Sequence, residues 1–171
     1  MPIIFIGHTG TTPLGDLWVA VSESGLVALQ FPVGQTEFTV WLQKQHAAMV
    51  EFSPENVSHA VDQLQEYIAG ERKEFDLLID WNVLAEFQRK ALQATFAIPY
   101  GETRTYKEIA IEIGSPRAAR AVGRAEATNP MPVVLPCHRV IGADRKLHGY
   151  GAGNGLETKT WLLKLEGAVI P

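Results

Sequence analysis

Thr105-Tyr106-Lys107-Glu108-Ile109-Ala110-Ile111-Glu112-Ile113-Gly114-Ser115-Pro116, continued by Arg117-Ala118-Ala119-Arg120-Ala121-Val122-Gly123-Arg124-Ala125-Glu126-Ala127-Thr128-Asn129-Pro130, decides the fold of the C-terminal half. Thr105 and Glu108 form a capping box, in which the hydroxyl and the carboxylate satisfy orphan amides at a helix start. Ile109, Ala110 and Ile113 give that helix an apolar face, and Gly114 ends it. Ser115-Pro116 reads as an N-cap followed by proline at the first helical position, opening a second helix that runs to about Thr128 before Asn129-Pro130 stops it. Two helices joined by so short a turn form a helix-turn-helix. The second carries Arg117, Arg120 and Arg124 on one face among Ala118, Ala119, Ala121, Gly123 and Ala125. Small residues between arginines let a helix approach a nucleic-acid groove closely, although a solvated basic face on an Ala-rich helix fits the pattern equally well.

Just downstream, Pro136-Cys137-His138-Arg139-Val140 holds the only cysteine of the 171-residue chain. A lone thiol forms no internal disulfide and no Cys-rich zinc site, which leaves an inert buried filler or a nucleophile. A free thiol is mostly protonated at neutral pH, and a reactive one needs a base beside it. His138 is the candidate, provided the segment is a turn or helical fragment, because neighbouring side chains of an extended strand point to opposite faces. Pro136 and the apolar run Met131 to Leu135 suggest a buried segment entering such a turn. The helix-turn-helix upstream tips the balance towards DNA chemistry.

Upstream, Ile3 to Ile6, Leu17 to Val21 and Leu26 to Phe31 read as a small antiparallel sheet. Ser53-Pro54 then opens a helix with Val57, Val61, Leu64 and Ile68 at helical spacing, closed by Gly70. A link around Asp76 to Asn82 leads to another helix, roughly Ala85 to Ile98, ended by Pro99-Tyr100-Gly101. The expected class is α+β: residues 1–82 a scaffold lobe of sheet plus helix, residues 83–171 a mostly helical lobe with a winged helix-turn-helix. Net charge is -4, but residues 1–85 hold 3 Lys and Arg against 11 Asp and Glu, whereas residues 86–171 hold 12 against 8. Such asymmetry suggests an acidic support and a basic face for a polyanion. With no bilayer-length apolar run and no signal-like N-terminus, an ordinary soluble protein of a reducing compartment is expected.

The ordered set Pro99-Tyr100-Gly101-Glu102, Thr105-Tyr106, Ala118 to Gly123, Asn129-Pro130, Pro136 to Ile141, Gly149-Tyr150 and Trp161-Leu162-Leu163 resembles the O6-alkylguanine-DNA alkyltransferases, also called methylated-DNA-protein-cysteine methyltransferases. The likeness is strongest from Phe87 to Gly167 and looser in the N-terminal lobe, through Thr12-Pro13-Leu14-Gly15 and the Tyr67 to Gly70 helix end. It implies DNA repair by one irreversible transfer of an alkyl group, typically methyl, from guanine O6 to Cys137. By position, His138 takes the thiol proton through a water, Glu166 orients that relay, and Asn129 holds the turn ahead of the reactive segment. The partner implied is double-stranded DNA containing O6-alkylguanine, bound through the minor groove with the damaged base rotated out. Arg120 would fill the gap, while Ala119, Ala121 and Gly123 suit a narrow groove and Arg124 faces DNA. Tyr106, Pro132, Val140, Tyr150 and Gly151 would surround the base, and Lys107 and Ser115 would contact phosphate at helix starts. No metal and no cofactor are expected, and the protein should act as a monomer in the cytoplasm, or in the nucleus of a eukaryote. Between Tyr150 and Lys159 the chain runs longer than the family's usual form.

Three alternatives compete with this reading. A non-catalytic alkyltransferase-like sensor usually has another residue in place of Cys137. A winged helix-turn-helix regulator leaves the Cys-His pair unexplained, and a thiol hydrolase would turn over.

Overall fold

The computed structural model describes residues 1–170, which divide into two compact units, one ending at Val83 and the other beginning at Leu84. The first unit contains β1 (Ile3–His8), β2 (Trp18–Ser22), β3 (Gly25–Gln30), α1 (Gln35–His46), β4 (Met49–Phe52) and α2 (Pro54–Ile68). The strands order as β3-β2-β1-β4, with β1–β2 and β2–β3 antiparallel and β4 parallel to β1. The sheet is therefore mixed rather than wholly antiparallel. Neither α1 nor β4 announces itself in the sequence, for a physical reason. Only Phe38 and Leu42 of α1 are buried, and β4 is an edge strand whose Met49 and Phe52 are exposed, so neither shows the apolar periodicity that marks an element. Phe38 and Leu42 pack with Ile4, Ile6 and Trp18 in the core of this unit.

Pro54 is the first residue of α2, as expected, but the Ser53 hydroxyl caps no helix amide and instead accepts from Asn56 Nδ2 at 2.7 Å. The segment read as a link pairs with the sheet: Leu26 N donates to Leu78 O and Asp80 N to Leu26 O, each at 2.9 Å, and Ser22 Oγ donates to the Asp80 carboxylate at 2.8 Å.

The second unit contains α3 (Glu86–Phe96), β5 (Arg104–Thr105), α4 (Tyr106–Glu112), α5 (Ala119–Ala127), a 3₁₀ turn (Cys137–Arg139), β6 (Val140–Ile141) and α6 (Leu156–Leu165). The capping box is formed at both ends: Glu108 N donates to Thr105 Oγ1 at 3.0 Å and Thr105 N to Glu108 Oε2 at 2.8 Å. Ile98, Ile109, Ala110, Val122 and Val140 make the core on which α4 and α5 pack. The wing is slight, consisting of the parallel pair β5–β6 and a turn in which Gly142 N donates to Lys146 O at 3.0 Å.

One expectation is corrected at α5. The helix starts at Ala119, because Ser115 to Ala118 form a turn closed by Ala118 N donating to Ser115 O at 2.9 Å. Proline serves as readily at the second position of a β-turn as at the first turn of a helix. Ser115 is thus not a helix cap, and Arg117 lies in the turn, leaving Arg120 and Arg124 as the arginines of the helix. No described helix is long and apolar enough to cross a membrane.

Candidate active site

Asn129 follows α5 and braces the chain that returns to the reactive segment. Its Nδ2 donates to Leu135 O at 2.8 Å, and its Oδ1 accepts from Met131 N at 2.9 Å. Within this brace Val133 adopts φ 77°, a left-handed conformation that costs a β-branched residue of the order of 1–3 kcal/mol. Leu135 O also accepts from Cys137 N at 2.7 Å, and Arg139 N donates to Pro136 O at 2.9 Å, winding residues 137 to 139 into the 3₁₀ turn. The helical fragment required for Cys137 and His138 to work together is present.

Residues of this turn enter a buried ionic cluster. His138, without solvent exposure, has its Nε2 2.9 Å from Glu166 Oε2, while Arg139 donates to the same carboxylate from Nε and Nη2, each at 2.8 Å. The remaining guanidinium nitrogen of Arg139, Nη1, donates to Ile98 O at 2.7 Å, and the guanidinium lies 5.7 Å from the centre of the Tyr100 ring. Glu166 is the C-cap of α6, and Pro99-Tyr100-Gly101 docks there: Tyr100 OH donates to Leu165 O at 3.3 Å. Gly101, at φ +83°, approaches so closely that a Cβ would stand 3.1 Å from Glu166 O. Although burial opposes ionisation of Glu166, hydrogen bonds and charge from His138 and Arg139 hold its carboxyl down to about 2. Because that carboxylate only accepts, His138 carries its proton on Nε2. Its Nδ1, buried and without a hydrogen-bond partner, holds the lone pair of a base. Burial keeps the imidazole below its ordinary pKa and hence neutral, outweighing the pull of Glu166.

Around the Cys137 thiol the environment differs. Glu126, on the buried face of α5, is 5% exposed, and its Oε1 is hydrogen-bonded to Thr95 Oγ1 of α3. Burial raises its carboxyl to about 8, against the opposing effects of Thr95 and Lys159. Lys159 of α6 is wholly buried, donates from Nζ to Val140 O at 2.7 Å and lies 6.0 Å from the Tyr106 ring centre. Burial pulls its ammonium down to about 8. The Cys137 thiol is pushed up to about 12 by burial and then by the Glu126 charge, with a hydrogen bond from Asn129 and the Lys159 charge working the other way. The thiol is therefore not pre-ionised. A base beside it was expected to raise the thiolate population, but in this site burial is the larger effect.

Cys137 opens onto a cavity of about 380 Å³, within the range usual for small-molecule pockets. Gly123, Glu126 and Ala127 of α5 form one wall, Tyr106 of α4 another, and Gly149-Tyr150-Gly151 a third. Gly151 is required there, since a Cβ would stand 2.6 Å from Ala127 O at the end of α5. Burial and the nearby Glu126 and Cys137 charges raise the Tyr106 phenol to about 12, so it remains a donor.

Of the residues singled out from sequence, the fold gathers Tyr106, Gly123, Cys137, Tyr150 and Gly151 around the cavity, with Asn129, His138 and Glu166 supporting it. Arg120, Arg124 and Lys107 are exposed, and Ala119 and Ala121 are partly buried along α5. Pro132 and Val140 do not line the cavity. Both are buried, Val140 in the core, and its carbonyl serves Lys159. Ser115 lies in the turn before α5. Glu126, Thr95, Lys159 and the structural part of Arg139 escaped the sequence reading. Glu126 had one usable signal: it falls four residues after Val122 and one after Ala125, on the face of α5 that must be buried.

The family model described as the DNA binding domain of 6-O-methylguanine DNA methyltransferase matches residues 86–168, and that of its ribonuclease-like domain matches residues 7–81. The constitutive methylated-DNA–protein-cysteine methyltransferase of Bacillus subtilis is 43% identical over 158 residues, covering 92% of this chain and 93% of its own. The methylated-DNA–protein-cysteine methyltransferase of Mycolicibacterium paratuberculosis is 54% identical over 162 residues, covering 93% and 90%. Among solved structures, Mycobacterium tuberculosis OGT in complex with DNA superposes with a TM-score of 0.78 at 40% identity, covering 99% of this chain and 95% of that one.

Proposed function

Since the chain belongs to the 6-O-methylguanine DNA methyltransferase family, we propose that it repairs DNA by moving an alkyl group from guanine O6 to its own Cys137, once per molecule. The observation that carries this reading is the position of Cys137, at the cavity wall below α5, with a neutral His138 held by Glu166 at its back.

O6 of guanine lies within the base stack, so the lesion must be everted, at a cost of a few kcal/mol that a damaged, poorly paired base reduces. The exposed Arg120 at the start of α5 fills the space left in the duplex, while Ala119, Ala121 and Gly123 allow α5 into the minor groove. Arg124 and Lys107 meet the backbone. The buried ionisable groups of this unit, Glu126, Arg139, Lys159 and Glu166, are two acids and two bases, so its excess of basic over acidic residues lies on the surface for phosphate contacts.

In the transfer, the Cys137 sulfur forms a bond to the alkyl carbon as the bond from that carbon to O6 breaks. The electron pair stays on the guanine, which takes up a proton from solvent at N1. The thiol proton passes through a water to Nδ1 of His138, and Glu166 stabilises the resulting imidazolium. A thiol held near 12 is protonated in the resting protein, which protects it, and it ionises only as the base relay engages. The thioether formed is stable, so each protein acts once. One chain supplies the whole site, which supports a monomer. A free thiol acting on chromosomal DNA belongs in a reducing, DNA-containing compartment, the bacterial cytoplasm or a eukaryotic nucleus.

Cys137→Ala tests the assignment. The variant is expected to retain lesion-bearing duplex in a gel-shift assay while accepting no labelled methyl; uptake of label by that variant would show that another atom is the acceptor.

A further inference from the structure

Glu126 is a carboxyl in the wall of the cavity that the transfer reaction does not use. Its Oε2 is buried and has no hydrogen-bond partner, whereas its Oε1 meets Thr95 Oγ1. A buried acceptor left unpaired carries a desolvation cost, so an occupant of the cavity that supplies a donor gains by meeting it. Lys159, the nearby cation, directs a donor to Val140 O instead.

Proton counting identifies what Oε2 offers. Thr95 has one hydroxyl proton but lies at bonding distance from two oxygens, Ala91 O at 3.0 Å and Glu126 Oε1. Both contacts are hydrogen bonds when Thr95 donates to Ala91 O and the acid proton of Glu126, on Oε1, is donated to Thr95. Oε2 is then the carbonyl oxygen of a neutral carboxylic acid, and it accepts equally as a carboxylate.

The donor must come from the everted base. Alkylation at O6 removes the proton from N1 of guanine, leaving the exocyclic 2-amino group as the donor on that base edge. O4-alkylthymine has no such group, since alkylation removes its N3 proton. We propose that Glu126 Oε2 accepts a hydrogen bond from the 2-amino group of the everted base, making Glu126 a specificity-determining residue that selects O6-alkylguanine over O4-alkylthymine. This inference rests on the alkyl-transfer reading above.

The test uses two duplexes differing only in the 2-amino group, one containing O6-methylguanine and the other O6-methylhypoxanthine. Single-turnover rates of methyl arrival on the Cys137 peptide are measured for the wild type, E126M and E126Q. A site built around an acceptor rejects a ligand lacking the donor, and the wild type is expected to react at least about tenfold faster with the guanine lesion. E126M, which removes the acceptor at similar volume, should bring the two rates together, and E126Q, which keeps a carbonyl oxygen, should preserve most of the preference. E126A removes the same acceptor and replaces E126M should the latter lack native circular dichroism. Equal wild-type rates, or a preference unchanged in E126M or E126A, would overturn the inference alone. Absence of methyl on Cys137 from both duplexes would overturn the functional reading on which it stands.

Discussion

Two buried carboxyls serve the segment around Cys137, Glu166 bonded to its neighbour His138 and Glu126 lining the cavity with it, and the protein treats them in opposite ways. Glu166 receives three hydrogen bonds from His138 and Arg139 and is held down to about 2, a permanent anion. Glu126, with one oxygen tied to Thr95, is raised to about 8 and stays neutral at pH 7. Both expose little surface, burial opposes ionisation of each, and the donors that Glu166 receives are what overcome it there. The ionised side is a network of hydrogen bonds that ties His138 and Arg139 to one carboxylate. The neutral side leaves one carboxyl oxygen without a partner in the wall of the cavity.

Breaking the ionised side should have the largest effect. Glu166→Ala leaves Arg139 as a buried charge without its anion, and a loss of roughly 3–5 kcal/mol in urea unfolding is expected, together with slow alkyl transfer. Glu166→Gln is milder in stability but should still slow transfer without a matching loss of lesion affinity. Equal losses in rate and affinity would show that Glu166 does more than orient His138.

Asn129→Ala comes next. It removes both hydrogen bonds of the brace between α5 and the 3₁₀ turn, and about 1–3 kcal/mol of destabilisation is expected, along with altered access of iodoacetamide to Cys137. An unchanged melting temperature would mean that the loop is held by packing alone.

The two carboxyls also make opposite predictions for pH. Glu166 is depressed from its ordinary value of about 4.3, so its contribution to stability is complete above that pH and is lost as pH falls towards 2. Glu126 is raised, so its contribution is complete below about 4.3 and is lost as pH rises towards 8. Glu126→Met should therefore flatten the decline of stability between those values, whereas Glu166→Gln should flatten the acid limb. Denaturant titrations at several pH values decide this, and a wild-type alkaline slope retained in Glu126→Met would remove Glu126 as its source.

The smallest structural change is expected from Arg120→Ala, since its side chain is exposed. Melting temperature should barely move, but repair of duplex DNA should slow far more than reaction with free O6-benzylguanine, which needs no residue to replace an extruded base. Equal slowing on both substrates would give Arg120 another role.

The chain carries part of this account openly. Cys137, His138 and the Thr105 capping box are legible because each depends on residues within a few positions of one another, where spacing alone dictates geometry. The Ser115-Pro116 pair is legible but ambiguous, being equally good chemistry for a helix start and a turn, and the fold uses it as a turn. Strand β4 and helix α1 lack periodicity because little of either is buried. The pairings that divide the two carboxyls are hidden for a different reason. Thr95 meets Glu126 across 31 residues and Arg139 meets Ile98 across 41, so only the packing of α3 against α5 and of the 3₁₀ turn reveals them.

The central claim is that Cys137 accepts an alkyl group once and irreversibly. Its most direct test is peptide mass spectrometry of the wild type after mixing with excess duplex carrying one O6-methylguanine. One added methyl on the Cys137 peptide is expected, saturating at one per chain, with unmodified guanine restored in the duplex. Tight, lesion-selective binding without any mass change would contradict it and make the protein a sensor of damage rather than its repairer.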